Sequence, residues 1–150
     1  MPIDIEIPDQ PEVRQLIGEL DIYLLSLYPA ENVYALDIAS LLAANVLFAV
    51  ARDDDGLSTG CAAIVRYPYY GEIKRMYVRP QSRGKGVARQ LIEFLEQKAS
   101  EQGCHTFMLE TGPDNPEALQ LYQRLGYQLR GAFGDYPDHP LSVFMEKRVK

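Results

Sequence analysis

The chain has 150 residues, the size of one domain and too short for two ordinary ones. Hydrophobic residues make up 47% and charged residues 24%, which supports a packed core and excludes a disordered, collagen-like or coiled-coil chain. The net charge of −6, from 15 basic and 21 acidic side chains, argues against a protein that lives on the phosphate backbone of nucleic acid.

No apolar run approaches the roughly 20 residues that cross a bilayer, so no membrane partner is expected. The start, Met1 to Ile7, has neither a basic segment nor a cleavable apolar stretch. Export is therefore not expected, and the chain reads as cytoplasmic. Cys61 and Cys104 lie far apart and read as two reduced, small hydrophobes rather than a disulfide. With only His105 and His139 beside them, no metal site is expected.

In chain order, Ile3, Ile5 and Ile7 alternate with polar residues, as in a half-buried strand. Asp9 with Pro11 marks a helix start, and Val13, Leu16, Ile17, Leu20, Leu24 and Leu27 form its stripe, ended by Pro29. A shorter helix is expected around Asp37 to Ala44. Val46 to Arg52 and Leu57 to Tyr67 flank an Asp-Gly turn and read as a hairpin. Tyr70 to Val78 is a further strand, stopped by Pro80. Ile73, Met76 and Val78 cannot share one face under strict alternation, so a β-bulge is expected near Arg75–Tyr77.

A polar loop, Gln81 to Gly86, precedes a helix that runs to about Gln102, with Ala88, Leu91, Ile92, Leu95 and Ala99 on its inner face. His105 to Glu110 is a buried strand. Asn115-Pro116 opens another helix, faced by Ala118, Leu121, Tyr122 and Leu125, with Gly126 as its stop. Tyr127 to Gly131 and Leu141 to Val149 read as closing strands. This order gives an α+β domain with one mixed, largely antiparallel sheet flanked by helices.

The most informative stretch is strand, glycine-rich loop, helix. Gly84 and Gly86 lack a Cβ, so an anion can approach the free N–H groups of the helix start, with Arg83, Lys85 and Arg89 nearby. A P-loop is excluded, because Gly84-Lys85 is followed by Gly86 and Arg79 stands where its first glycine belongs. A Rossmann fingerprint fails at Arg89, where a small residue is required.

Gln81-Ser82-Arg83-Gly84-Lys85-Gly86 resembles the acyl-CoA-binding motif of the GNAT superfamily of N-acetyltransferases, Gln/Arg-x-x-Gly-x-Gly/Ala. Asn115 to Tyr127 is similar to that family's Asn-x-x-Ala-x-x-x-Tyr-x-x-x-Gly-Phe/Tyr helix. Two motifs, in order, make the resemblance specific over about Glu72 to Val149. It implies the GNAT acyl-CoA N-acyltransferase fold, in which the strands ending near Val78 and Glu110 splay and acetyl-CoA enters the gap. The cofactor-binding residues it implies are Met76, Tyr77 and Val78 for pantetheine. Gln81, Arg83, Gly84, Lys85, Gly86, Val87 and Ala88 would hold the pyrophosphate, with Asn115 at the next helix.

The implied reaction is acetyl transfer from acetyl-CoA to a primary amine of a small molecule or peptide, by direct attack in a ternary complex. An amine with a pKa of about 10.4 is mostly protonated at neutral pH, and recovering its free base costs about 4 to 5 kcal/mol. Glu72 is the expected general base, with Glu110 as the fallback, and Tyr122 is the expected general acid for the leaving thiolate. Tyr67, Tyr69, Tyr70 and the loop holding Asp135, Tyr136 and Asp138 are candidates for an acceptor site suited to a cationic amine. A sensor domain that binds acyl-CoA without turnover is the alternative. Acetylation of aminoacyl-tRNA is disfavoured by the charge. Dimers are common in the family, but no stretch of this sequence identifies an interface.

Overall fold

The computed structural model describes residues 2–150. Seven strands form one sheet: β1 (Ile3–Ile5), β2 (Val46–Arg52), β3 (Ser58–Arg66), β4 (Gly71–Val78), β5 (Thr106–Thr111), β6 (Gln128–Arg130) and β7 (Val143–Arg148). Their order is β1-β2-β3-β4-β5-β7-β6, and every neighbouring pair is antiparallel except β4 with β5. Helices α1 (Pro11–Leu27) and α2 (Ile38–Leu41) cover one face, and α3 (Val87–Glu101) and α4 (Pro116–Arg124) the other. No helix among the described residues is long and apolar enough to cross a membrane.

Two cores result. Val13, Leu16, Ile17 and Leu20 of α1 pack on Phe48, Val50, Cys61 and Ala63. On the opposite face, Leu91, Ile92, Leu95 and Ala99 of α3 meet Ala49, Ala62, Ile64 and Ile73. Period-2 alternation of β2 and β3 thus feeds both cores, which is why these strands are apolar on both sides.

Several boundaries differ from the sequence expectation. Gln10, not Asp9, stands at the cap of α1, because Asp9 is drawn into an ion pair with Arg14 at 2.7 Å. The Ile3–Ile7 alternation yields only a three-residue edge strand, and Ile5 and Ile7 are exposed, since no layer covers that edge. α2 is a single turn; Asp37 caps it by accepting from the Ser40 N–H at 2.8 Å. Val87 rather than Ala88 begins the buried stripe of α3. The two closing strands are also shorter than expected.

The bulge expected in β4 is present. Cys61 pairs Tyr77 and Ala63 pairs Lys74, so β4 carries one extra residue between those rungs. Arg75 occupies it with φ +56°, the only non-glycine residue with positive φ among those described. The extra residue lets Ile73 and Val78 both reach the α3 core while Tyr77 points to the α1 core. Holding a branched-chain-free but bulky residue in this region costs about 1–3 kcal/mol, which the flanking ladder must over-determine.

Candidate active site

β4 and β5 are joined by two rungs only, Gly71 with Phe107 and Glu72 with Met108. Beyond them the strands part, leaving Ile73–Val78 and Leu109–Thr111 without partners across the gap. A bulge increases local twist, so Arg75 sits where divergence is needed. α4 closes the gap from one side and the C-terminal half of α1 from the other.

The opening holds two cavities that share Leu20, Met76, Asn115, Ala118 and Leu121 and so form one cleft. The larger, about 240 Å³, runs along Met76, Tyr77 and Val78 to Arg83, Gly84, Val87 and Ala88 at the start of α3. Gly84 and Gly86 take φ of +80° and +79°, the left-handed region that favours glycine. Among the described residues the N–H groups of residues 84–89 find no backbone acceptor, and Gly86, at the N-cap, offers no side chain to them. They are therefore available to an anion at the positive end of the α3 dipole.

Of the expected binding residues, Met76, Tyr77, Val78, Arg83, Gly84, Val87, Ala88 and Asn115 line this cleft. Gln81 and Lys85 are exposed on the loop, and Gly86 lies at its inner turn. Arg83 is folded back, its Nε donating to the Val78 carbonyl at 3.0 Å and its guanidinium over the Tyr77 ring. Asn115 caps α4, its Oδ1 accepting from the Ala118 N–H at 3.4 Å.

The second cavity, about 160 Å³, lies between α1 and the parted strands. Tyr122 faces it, 6% exposed, and burial pushes its phenol well above the usual tyrosine range. Glu110 lines it too. Burial raises the Glu110 carboxyl above the usual carboxylate range, with neighbouring Glu72 adding to the rise, while the Ser142 hydroxyl and the Lys74 ammonium pull it down.

Glu72, the expected general base, lies near the start of β4. It is buried behind the cleft wall, accepting from the Tyr136 hydroxyl at 2.5 Å and lying 3.3 Å from Lys74 Nζ. Lys74 also donates to Tyr136 Oη and to the Tyr34 carbonyl. Glu72 Oε2 therefore stands in a knot that ties β4 to the chain between β6 and β7. Tyr136 is held there by an aromatic cluster with Tyr34, Phe133 and Phe144.

Arg75 carries a different signature. Its side chain is 3% exposed; Nη2 donates to Asp21 at 2.7 Å, while Nε and Nη1 have no acceptor among the described residues. Each buried donor without a partner costs about 1–3 kcal/mol, more where charge is involved. The positive φ and these free donors were not readable from the sequence, which offered only one basic residue among several.

Tyr28 was also missed. It follows α1 and reaches across to the loop after β5, its Oη accepting from the Asp114 N–H at 3.0 Å beside Gly112. By contrast, Tyr67, Tyr69 and Tyr70 line a separate cavity with Cys104 at the far end of β4, and Asp135 and Asp138 are exposed. Of the aromatic and acidic residues expected around an acceptor, Tyr136 approaches this cleft through Lys74 and Tyr34, whereas Tyr67, Tyr69 and Tyr70 lie in the turn between β3 and β4 and away from it.

The profile of the Acetyltransferase (GNAT) family matches residues 13–127. The chain is 44% identical over 144 residues to IAA acetyltransferase of Azospirillum brasilense, covering 95% of this chain and 94% of that protein. A crystal structure from Klebsiella pneumoniae subsp. pneumoniae, assigned to the acyl-CoA N-acyltransferases, superposes with a TM-score of 0.84 at 38% identity, covering 98% of this chain and 96% of that one. An aminoglycoside 6'-N-acetyltransferase complexed with coenzyme A shares the fold, with a TM-score of 0.74 at 15% identity over 99% and 97% of the two chains. With parted strands, a glycine-rich helix start and these likenesses together, the chain belongs to the GNAT family and is an acetyltransferase.

Proposed function

We propose that the protein transfers the acetyl group of acetyl-CoA to a primary amine, with Glu110 as general base and Tyr122 as general acid. The observation that carries this reading is the cleft itself: one end offers unpaired N–H groups at a helix start, and the other holds a half-buried carboxyl and a buried phenol. The donor fits the first end. Its pyrophosphate would rest on the N–H groups of residues 84–89, and its pantetheine amides would run beside the unpaired edge of β4 at Met76–Val78. A structure of this fold complexed with coenzyme A supports a CoA-borne donor.

In the second cavity the amine surrenders a proton to Glu110, directly or through one water, and its lone pair attacks the thioester carbonyl carbon. The C–N bond forms and the C–S bond breaks; the sulfur takes a proton from the Tyr122 hydroxyl, and the second proton shed by the nitrogen restores that hydroxyl. A carboxyl raised above its usual range is a stronger base once ionised, while a phenol raised by burial stays protonated and able to donate. Glu72, held by Tyr136 and Lys74, fixes those two side chains rather than touching the acceptor.

Thiol release from acetyl-CoA against pooled amines tests the reading. Glu110→Gln is expected to lower kcat by roughly 100-fold. In the wild type, kcat falls as pH drops through the raised Glu110 pKa, so the acid limb lies above the ordinary value of 4.5. That limb vanishes in the variant. Glu72→Gln, in contrast, should lower melting temperature along with activity. Loss of the acid limb in Glu72→Gln alone would reverse the two assignments, and turnover untouched by either would discard both. Binding of acetyl-CoA with no turnover on any pool would favour the sensor reading.

Gly84→Ala probes the donor end separately. The added Cβ meets nothing within 4 Å, so the change acts through φ +80° alone. The free loop relaxes out of the left-handed region, and binding must restore it, so calorimetry should show Kd for CoA rising by roughly tenfold. An unchanged Kd would mean that these N–H groups do not meet the donor.

A further inference from the structure

We infer that the acceptor carries a carboxylate beside its amine, and that Arg75 receives it; the acceptor is a single amino acid with an apolar side chain rather than a polycation. The inference rests on the amine-acetylation reading of the second cavity and names the substrate class for it.

Arg75 lines that cavity, buried, with Nε and Nη1 free and Nη2 fixed by Asp21. Nε and Nη1 lie on opposite edges of the planar guanidinium, so each offers one charge-assisted donor to a carboxylate oxygen. Lys74, the neighbouring cation, is already committed to Tyr34, Tyr136 and Glu72, so Arg75 is the basic group with capacity left. The strained bulge accounts for its placement: the extra residue in β4 turns this side chain toward α1 and Asp21 instead of letting it alternate to the α3 face.

Charge and size point the same way. The ionisable side chains lining the cavity, phenols aside, are Lys74, Arg75 and Glu110, two cationic and one acidic. A polyamine or aminoglycoside would meet both cations, whereas an amino acid sets its amine toward Glu110 and its carboxylate toward Arg75. Leu20, Leu24, Tyr28 and Leu141 supply apolar walls for a side chain. A volume of about 160 Å³ suits one residue and not a folded peptide.

The test compares acetylation of leucine, methionine and phenylalanine with that of their amides, by wild type and by Arg75→Gln and Arg75→Lys. The comparison runs against the proposal, because the amine of an amino amide is the more easily deprotonated. The acids should nonetheless show kcat/KM roughly tenfold higher than the amides or better. Arg75→Gln should bring that ratio to about one, and Arg75→Lys should restore part of it. Amides used as well as the acids, or a ratio that Arg75→Gln leaves unchanged, would overturn the inference while acetylation itself stood.

Where no amine turns over, binding decides. Hydrocinnamate and its amide are titrated calorimetrically into CoA-saturated protein. Binding of the acid alone, lost in Arg75→Gln with the melting temperature retained, establishes the carboxylate site and rejects the amine reading. Failure of the acid to bind rejects the site.

Discussion

Tyr122→Phe is expected to lower kcat by roughly two orders of magnitude, with little change in KM for acetyl-CoA or in melting temperature. The substitution removes one oxygen and keeps the ring, which packs edge-on against Tyr127 at 5.8 Å. Packing energy is therefore retained, and the loss falls on the proton that the leaving sulfur needs. Burial alone raises this phenol, with no charged neighbour contributing. It stays protonated through the working range, so the wild type gains no alkaline limb from it. A kcat within a few-fold of wild type would mean that water or the acceptor protonates the sulfur, and Tyr122 would revert to a core aromatic.

Gly112→Ala is expected to be among the most damaging single-methyl additions in the chain. A Cβ at this position would overlap the Tyr28 hydroxyl and ring. Tyr28 is 7% exposed and cannot swing aside without leaving its site, so its burial and the Asp114 N–H bond are lost together. The cost is about 2–4 kcal/mol, or a fall in melting temperature of about 8 °C. Tyr28→Ala removes the obstacle, so the double variant should melt close to Tyr28→Ala alone, a non-additive result. Additive losses, or a Gly112→Ala protein that melts like wild type, would show that the β5–α4 loop yields more readily than its geometry implies. Because Tyr28 walls the second cavity, KM for the acceptor should rise in both single variants.

The order of elements was legible because each carries a local signal: the leucine stripe of α1, the Asp-Gly turn, the Asn115-Pro116 start of α4. The β4 bulge was also legible, since three apolar residues could not share a face without it. What escaped depended on long-range contact. Glu72 and Glu110 look alike in sequence, and only the packing of Tyr136 and Lys74 onto one of them separates their environments. The tyrosines around residues 67–70 have the composition of a binding site, yet the strand carries them to the opposite end of the gap. The positive φ of Arg75 within that bulge gave no signal, because in a non-glycine residue it is imposed by the neighbouring strand and not by propensity.

Two rungs between β4 and β5 divide the sheet mechanically into a four-stranded leaf and a three-stranded leaf. Near that seam, little but Gly71, Glu72, Phe107 and Met108 joins the leaves by backbone, so opening there breaks few hydrogen bonds. On the proposed reading, a donor laid along β4 and an acceptor held between β4 and β5 would supply rungs that the fold itself omits. Occupancy of the cleft and cohesion of the domain are then one equilibrium, and heat resistance should climb with each ligand added. The protein keeps its sheet incomplete, and in the proposed reaction its substrates would finish it.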